Sequence, residues 1–183
     1  MQNVTIKHGD ILDEPVDIIV STANPQLLMS GGVNGAILMR GGHNVQARLQ
    51  DHLKSLGRRY VEPGSVVVTG PGPLQCRHIL HAVSINALYE SSPDLIAQTI
   101  RNVLNAAIEL NATSIAIPAL ATGYGPLSMS DFATCVRTGP TTCEMQEALD
   151  RLDIRIVLWR SEDVDVVRRI INATQTDTSV AGE

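Results

Sequence analysis

Apolar residues recur along the chain in two rhythms. Val4-Thr5-Ile6-Lys7 alternates in and out, as a half-buried strand does, whereas Asp17-Ile18-Ile19-Val20 is apolar almost throughout, as in a strand covered on both faces. Four more β-branched runs follow: Ser65–Thr69, Arg77–Val83, Ser114–Ile117 and Ile154–Trp159. Between them the period lengthens. Val45, Leu49, His52, Leu53 and Leu56 fall on one helical face, with Asn44 as the expected N-cap and Gly57 just past the end. Ile96, Ile100, Val103, Leu104 and Ala107 repeat that spacing behind Ser92 as cap and Pro93 at the first helical position. A further helix starts near Ser161, carries Glu162 and Asp163 in its first turn, and buries Val164, Val167, Ile170 and Ile171. Residues 128–151 also read as helical, but Gly139-Pro140 interrupts them; a second helix is expected from Pro140 to about Asp150.

Strands alternating with helices of this length predict an α/β domain with a mostly parallel sheet and helices on both faces. In such sheets ligands bind in loops beyond the carboxyl ends of the strands. Length supports a single domain, residues 1–174, followed by a polar, frayed tail at 175–183.

Composition narrows the function. The 183 residues carry 19 acidic and 14 basic side chains, for a formal charge of −5, the wrong sign for a duplex-DNA binder. Only Tyr60, Tyr89, Tyr124, Phe132 and Trp159 are aromatic, too few for a base-stacking platform, so nucleic acid is not the expected partner. Three cysteines without a CxxC pair argue for a reducing compartment and against a metal cluster. His78 and His81 stand three apart on a strand and so point to opposite faces. No metal and no cofactor is expected. MQNVTIKHGD lacks the apolar core of a secretion signal and no run approaches a membrane span, so a cytoplasmic protein is expected.

Three loops carry candidate chemistry. Gly9-Asp10-Ile11 follows the first strand; Asp10 suits either an ordinary turn or a hydrogen bond from a base's exocyclic amine. Ser21-Thr22-Ala23-Asn24-Pro25 leads into Ser30-Gly31-Gly32-Val33-Asn34-Gly35, where a glycine pair opens a helix and can turn backbone N–H groups toward an anion. It is neither a P-loop nor a GxGxxG fingerprint. Pro118-Ala119-Leu120-Ala121-Thr122-Gly123-Tyr124-Gly125 follows another buried strand and again permits close backbone approach. It reads either as a surface Ω-loop or as a second grip on the same ligand. Neither glycine loop contains lysine or arginine, so amides and helix ends would hold a diphosphate.

With GDI at 9–11, DIIVSTAN at 17–24, SGGVNGAI at 30–37, RHILHAV at 77–83, SIAIPALATGYG at 114–125 and LWRSED at 158–163, the chain resembles the macrodomain family over roughly residues 3 to 172. The resemblance implies a three-layer α/β/α sandwich with a mixed, mostly parallel six-stranded sheet and a cleft for ADP-ribose. It assigns Asp10 and Ile11 to adenine, Gly31, Gly32 and Val33 to one side of the diphosphate, and Ala121, Thr122, Gly123, Tyr124 and Gly125 to the other. Asn24 faces the distal ribose, Ala23 is a further ligand-binding position, and Trp159 falls near the adenine. Asn24 and Asn34 are the candidate catalytic positions.

The implied activity is removal of mono-ADP-ribose from modified protein side chains or deacylation of O-acyl-ADP-ribose; the alternative is a non-catalytic reader of ADP-ribosylated protein. The chain departs from the family pattern in places. Ser21 stands where the family has asparagine, Ser30 replaces a glycine, the 121–125 loop is one residue short, and Asn34 stands where one hydrolase branch has aspartate. An amide cannot serve as general base.

Overall fold

A computed structural model describes residues 4–123, 125–139 and 143–173. The elements are β1 (Val4–His8), a 3-10 turn (Ile11–Asp13), β2 (Ile18–Ala23), α1 (Gly32–Gly41), α2 (His43–Ser55), β3 (Val66–Thr69), β4 (His78–Val83), α3 (Pro93–Glu109), β5 (Ser114–Ile117), α4 (Met129–Thr138), α5 (Cys143–Leu149), β6 (Asp153–Leu158) and α6 (Ser161–Asn172). The strands form one mixed sheet in the order β1-β6-β5-β2-β4-β3. Every pairing is parallel except β3 with β4. The sandwich expected from the sequence is present.

Helices cover both faces because alternate strand residues feed two separate cores. Ile19, Ile79, Ala116 and Val157 pack with Ile37 of α1 and with Val45, Leu49 and Leu53 of α2. Ile18, Leu80, Ile115 and Ile156 pack with the buried stripes of α3, α4 and α6. Central β2 is buried from both sides, which is why its sequence shows no alternation. At its start the Asp17 carboxylate accepts hydrogen bonds from the Thr113 backbone and hydroxyl. These bonds from Thr113, against a burial that acts the other way, hold the Asp17 carboxyl below its usual range.

The α3 stripe is buried as the spacing predicts, and Ser92 caps it by accepting from Leu95 N. At α2 two expectations fail. The helix begins at His43 rather than after Asn44, because Gly42 (φ 82°) ends α1 and starts α2 at once, leaving no room for a side-chain cap. Leu56 is exposed, since the helix has already ended at Ser55 and the chain turns away through Gly57 (φ 63°). In α6, Val164 and Val167 are buried, while Ile170 and Ile171 are only partly so. The expected helix after Gly139 is observed from Cys143; Pro140 and the tail at 175–183 lie outside the described residues. Among the described residues no helix is long and apolar enough to cross a membrane.

Candidate functional site

Parallel pairing sends the carboxyl ends of β1, β2, β4, β5 and β6 to one edge of the sheet. The loops leaving all five strands line a cleft of about 910 Å³, while antiparallel β3 contributes nothing to it. That volume suits a ligand of cofactor size.

At one end, Gly9, Asp10 and Ile11 from β1 meet Leu158, Trp159, Arg160 and Asp163 from β6 and α6. Asp10 is held from two directions. Its Oδ1 accepts from Leu12 N at 2.9 Å, capping the 3-10 turn. Its Oδ2 accepts from Arg40 of α1 at 3.3 Å, and the same guanidinium reaches Asp13 at 2.7 Å. The Asp13 hydrogen bond is the main reason the Arg40 pKa is raised. The carboxylate is thus aimed before any ligand arrives, at the modest strength of exposed ion pairs. Trp159 is 77% exposed, so its ring stands at the rim rather than in the floor.

At the other end the lining is neutral. Thr22, Ala23 and Asn24 leave β2, and the Asn24 amide closes a tight turn: Oδ1 accepts from Leu28 N at 3.0 Å and Nδ2 donates to Leu28 O at 2.9 Å. Gln46 of α2 props this loop from behind, accepting from Met29 N and donating to Leu27 O. The chain then reaches Gly31 (φ 64°) and Gly32 (φ 51°), conformations that L side chains rarely adopt. Gly31 is the N-cap of α1 and offers no side chain to its first amides, which are left for a ligand. Asn34 follows in the first turn, 5% exposed, its Oδ1 accepting from the Ser21 hydroxyl.

The facing loop is equally constrained. Ala121 is at φ 58°, its carbonyl accepts from Leu127 N, and the Thr122 hydroxyl donates to Ala119 O at 3.1 Å. Thr122 therefore shapes the loop through its hydroxyl. A Cβ on Gly125 would come 2.4 Å from the Ala121 carbonyl oxygen, so no other residue fits there undisturbed, whereas one on Gly123 would meet open space. Tyr124 lies outside the described residues.

The structure brings Asp10, Ile11, Ala23, Asn24, Gly31, Gly32, Val33, Asn34, Ala121, Thr122, Gly123, Gly125 and Trp159, all candidates from the sequence, to the lining of a single cleft. Sequence reading missed the loop after β4, which contributes Ser84, Ile85 and Tyr89, and the residues Arg160 and Asp163. It also missed Arg40, a little over two turns along α1 from the glycine pair. The β4 loop was recoverable, because a parallel strand must end at the same edge as its neighbours. His43 is exposed and is not among the lining residues.

His81 of β4 is wholly buried, in register with Ser21 of β2; Nε2 bonds the Thr69 hydroxyl at 2.9 Å and, among the described residues, Nδ1 has no partner. Burial drives its pKa down to about 4. Among the described residues no group of three or more His, Cys, Asp or Glu side chains could hold a metal ion.

The macro domain family matches residues 20–136, more than half of the chain. The chain is a macro domain protein. It is 34% identical over 174 residues to the macro domain-containing protein in the sno 5′ region of Streptomyces nogalater, covering 92% of each. A counterpart in the non 5′ region of Streptomyces griseus is 38% identical over 160 residues, covering 85% of this chain and 87% of that one. Among solved structures, a mutant of the Oceanobacillus iheyensis macrodomain with ADPR superposes on this macro domain with a TM-score of 0.79 at 25% identity, covering 92% of this chain and 91% of that one. The Trypanosoma brucei macrodomain in complex with ADP-ribose shares the fold, with a TM-score of 0.75 at 21% identity, over 93% of this chain and 69% of that one.

Proposed function

We propose that this macro domain binds ADP-ribose, free or attached to a protein side chain, and that its own side chains supply recognition rather than proton transfer. Asp10 accepts from the adenine amino group through the oxygen that Arg40 holds only weakly, and Ile11 and Trp159 flank the ring. Gly31, Gly32 and Val33 meet the diphosphate at the start of α1, and the 121–125 loop closes over it from the other side. Asn24 faces the distal ribose with an amide already fixed by Leu28.

The observation that carries this reading is the unequal chemistry of the two ends. Titratable lining groups at the neutral end reduce, among the described residues, to the Tyr89 phenol; the carboxylates Asp10 and Asp163 belong to the β1 and β6 end. Asn24 and Asn34 are amides and cannot take a proton from water. Binding on the order of micromolar requires about 8 kcal/mol, more than one carboxylate contact supplies. The glycine loops and the helix end must share it.

A hydrolytic reading stands second. The fixed Asn24 amide favours it, since it can hold a water against the ligand's own phosphate, which would then act as the base. Incubation with a glutamate-linked mono-ADP-ribosylated protein separates the two. Capture of the modified protein without release of free ADP-ribose is the expected result. Release above the uncatalysed rate that Asn24→Ala removes would establish the hydrolase.

A further inference from the structure

Ser21 and Asn34 form a buried side-chain pair between β2 and the first turn of α1. Ser21 lies on central β2, fully buried, on the face that carries Ile19 and Ala23 toward α1 and α2. Its hydroxyl donates to Asn34 Oδ1 across the gap between sheet and helix. A planar amide whose oxygen is held by the sheet must present its –NH2 elsewhere. Asn34 lines the cleft, and among the described residues no hydrogen bond ties its amide nitrogen. An unrestrained asparagine could rotate its amide by half a turn and offer the ligand either an acceptor or a donor. The serine hydroxyl could also accept from a flipped amide, but its buried O–H would then lose the Asn34 oxygen, the acceptor it has among the described residues, and that cost holds the amide oxygen toward the sheet.

We infer that Ser21 is a positioning residue that locks Asn34 as a hydrogen-bond donor into the neutral end of the cleft, and so selects for an oxygen acceptor on the part of the ligand beyond AMP. This rests on the proposed ADP-ribose site and deepens it. The acceptor is a phosphate oxygen or a hydroxyl of the distal ribose; both are oxygen lone pairs at the β2 end. No proton is transferred. As a neutral amide, Asn34 contributes a donor without repelling the diphosphate.

The test is calorimetric titration of the whole protein, wild type and Ser21→Ala, with AMP, ADP and ADP-ribose. Ser21→Ala is expected to weaken ADP-ribose by about tenfold while leaving AMP unchanged. A matching loss with ADP assigns the acceptor to the phosphate; a loss with ADP-ribose alone assigns it to the ribose. Asn34→Ala should reproduce the loss, and adding it to Ser21→Ala should cost nothing further, because the two act as one unit. Unchanged AMP binding reports an intact fold, and Ser21→Thr, which keeps the hydroxyl, should recover affinity. Equal losses with AMP and ADP-ribose, no loss at all, or additive losses in the double variant would overturn the inference while leaving the binding site standing. Failure of the wild type to bind ADP-ribose would overturn both.

Discussion

In the proposed site the two ends of the cleft divide recognition in opposite ways. At the β1–β6 end, charged and aromatic side chains do the work: Asp10, held by Leu12 N and Arg40, with Trp159 standing free at the rim. At the β2–β5 end the backbone does it, through two loops whose conformations exclude ordinary residues at Gly31, Gly32 and Gly125. A side-chain contact can be deleted one group at a time. A backbone contact can be disturbed only by deforming the loop, so substitutions at the neutral end should act on the whole ligand, and those at the charged end on the base alone.

The largest expected effect is therefore Gly125→Val. Its Cβ would strike the Ala121 carbonyl, so the loop must shift, and ADP-ribose affinity should fall by at least about a hundredfold. Gly123→Ala points into open space and should bind nearly as wild type; if both glycine variants behave alike in titration, the contrast between the ends is wrong.

The buried His81 ring gives the next effect, on stability. The folded protein holds His81 neutral down to about pH 4, whereas the unfolded chain takes up a proton near 6.5. His81 stabilises the fold in full above pH 6.5, and that contribution is lost as pH falls toward 4. Between pH 7 and 5 it should account for about 2 kcal/mol of lost stability. Urea unfolding of His81→Phe should show a correspondingly flatter pH dependence, though a lower stability at pH 7 because Thr69 loses its partner. An unchanged slope would mean that the ring titrates alike in the folded and unfolded chain.

Asp10→Ala should weaken ADP-ribose by about tenfold and leave ribose 5-phosphate untouched, as befits a contact to the base. Equal losses on both ligands would remove the base-reading role. Because Asp10 also caps the 3-10 turn, about 1 kcal/mol of stability should go with it. Trp159→Ala should be the mildest, a two- to tenfold loss, since an exposed ring at the rim contributes only one stacked face.

The same asymmetry governed what could be read from the sequence. Backbone sites announce themselves through glycine: the pair at 31–32 and the run at 123–125 marked the neutral end, and the apolar run at 18–20 marked the strand that leads to it. Side-chain constellations do not. Arg40 sits 30 residues from Asp10 and meets it only because α1 lies against the 3-10 turn. Ser21 and Asn34 read as separate departures from a family pattern, and only the packing of α1 on β2 makes them a pair. Element ends slipped for a similar reason. Gly42 serves two helices at once, and no local pattern around Asn44 foretells that.

The central claim, that neutral backbone loops clasp a diphosphate while Asp10 reads the purine, is tested most directly by calorimetric titration of wild type and Gly125→Val with ADP-ribose. Saturable binding by the wild type on the order of micromolar, absent from the variant, is the predicted result. A wild type that stays silent to millimolar ligand, or a folded variant that binds as tightly as the wild type, would contradict it.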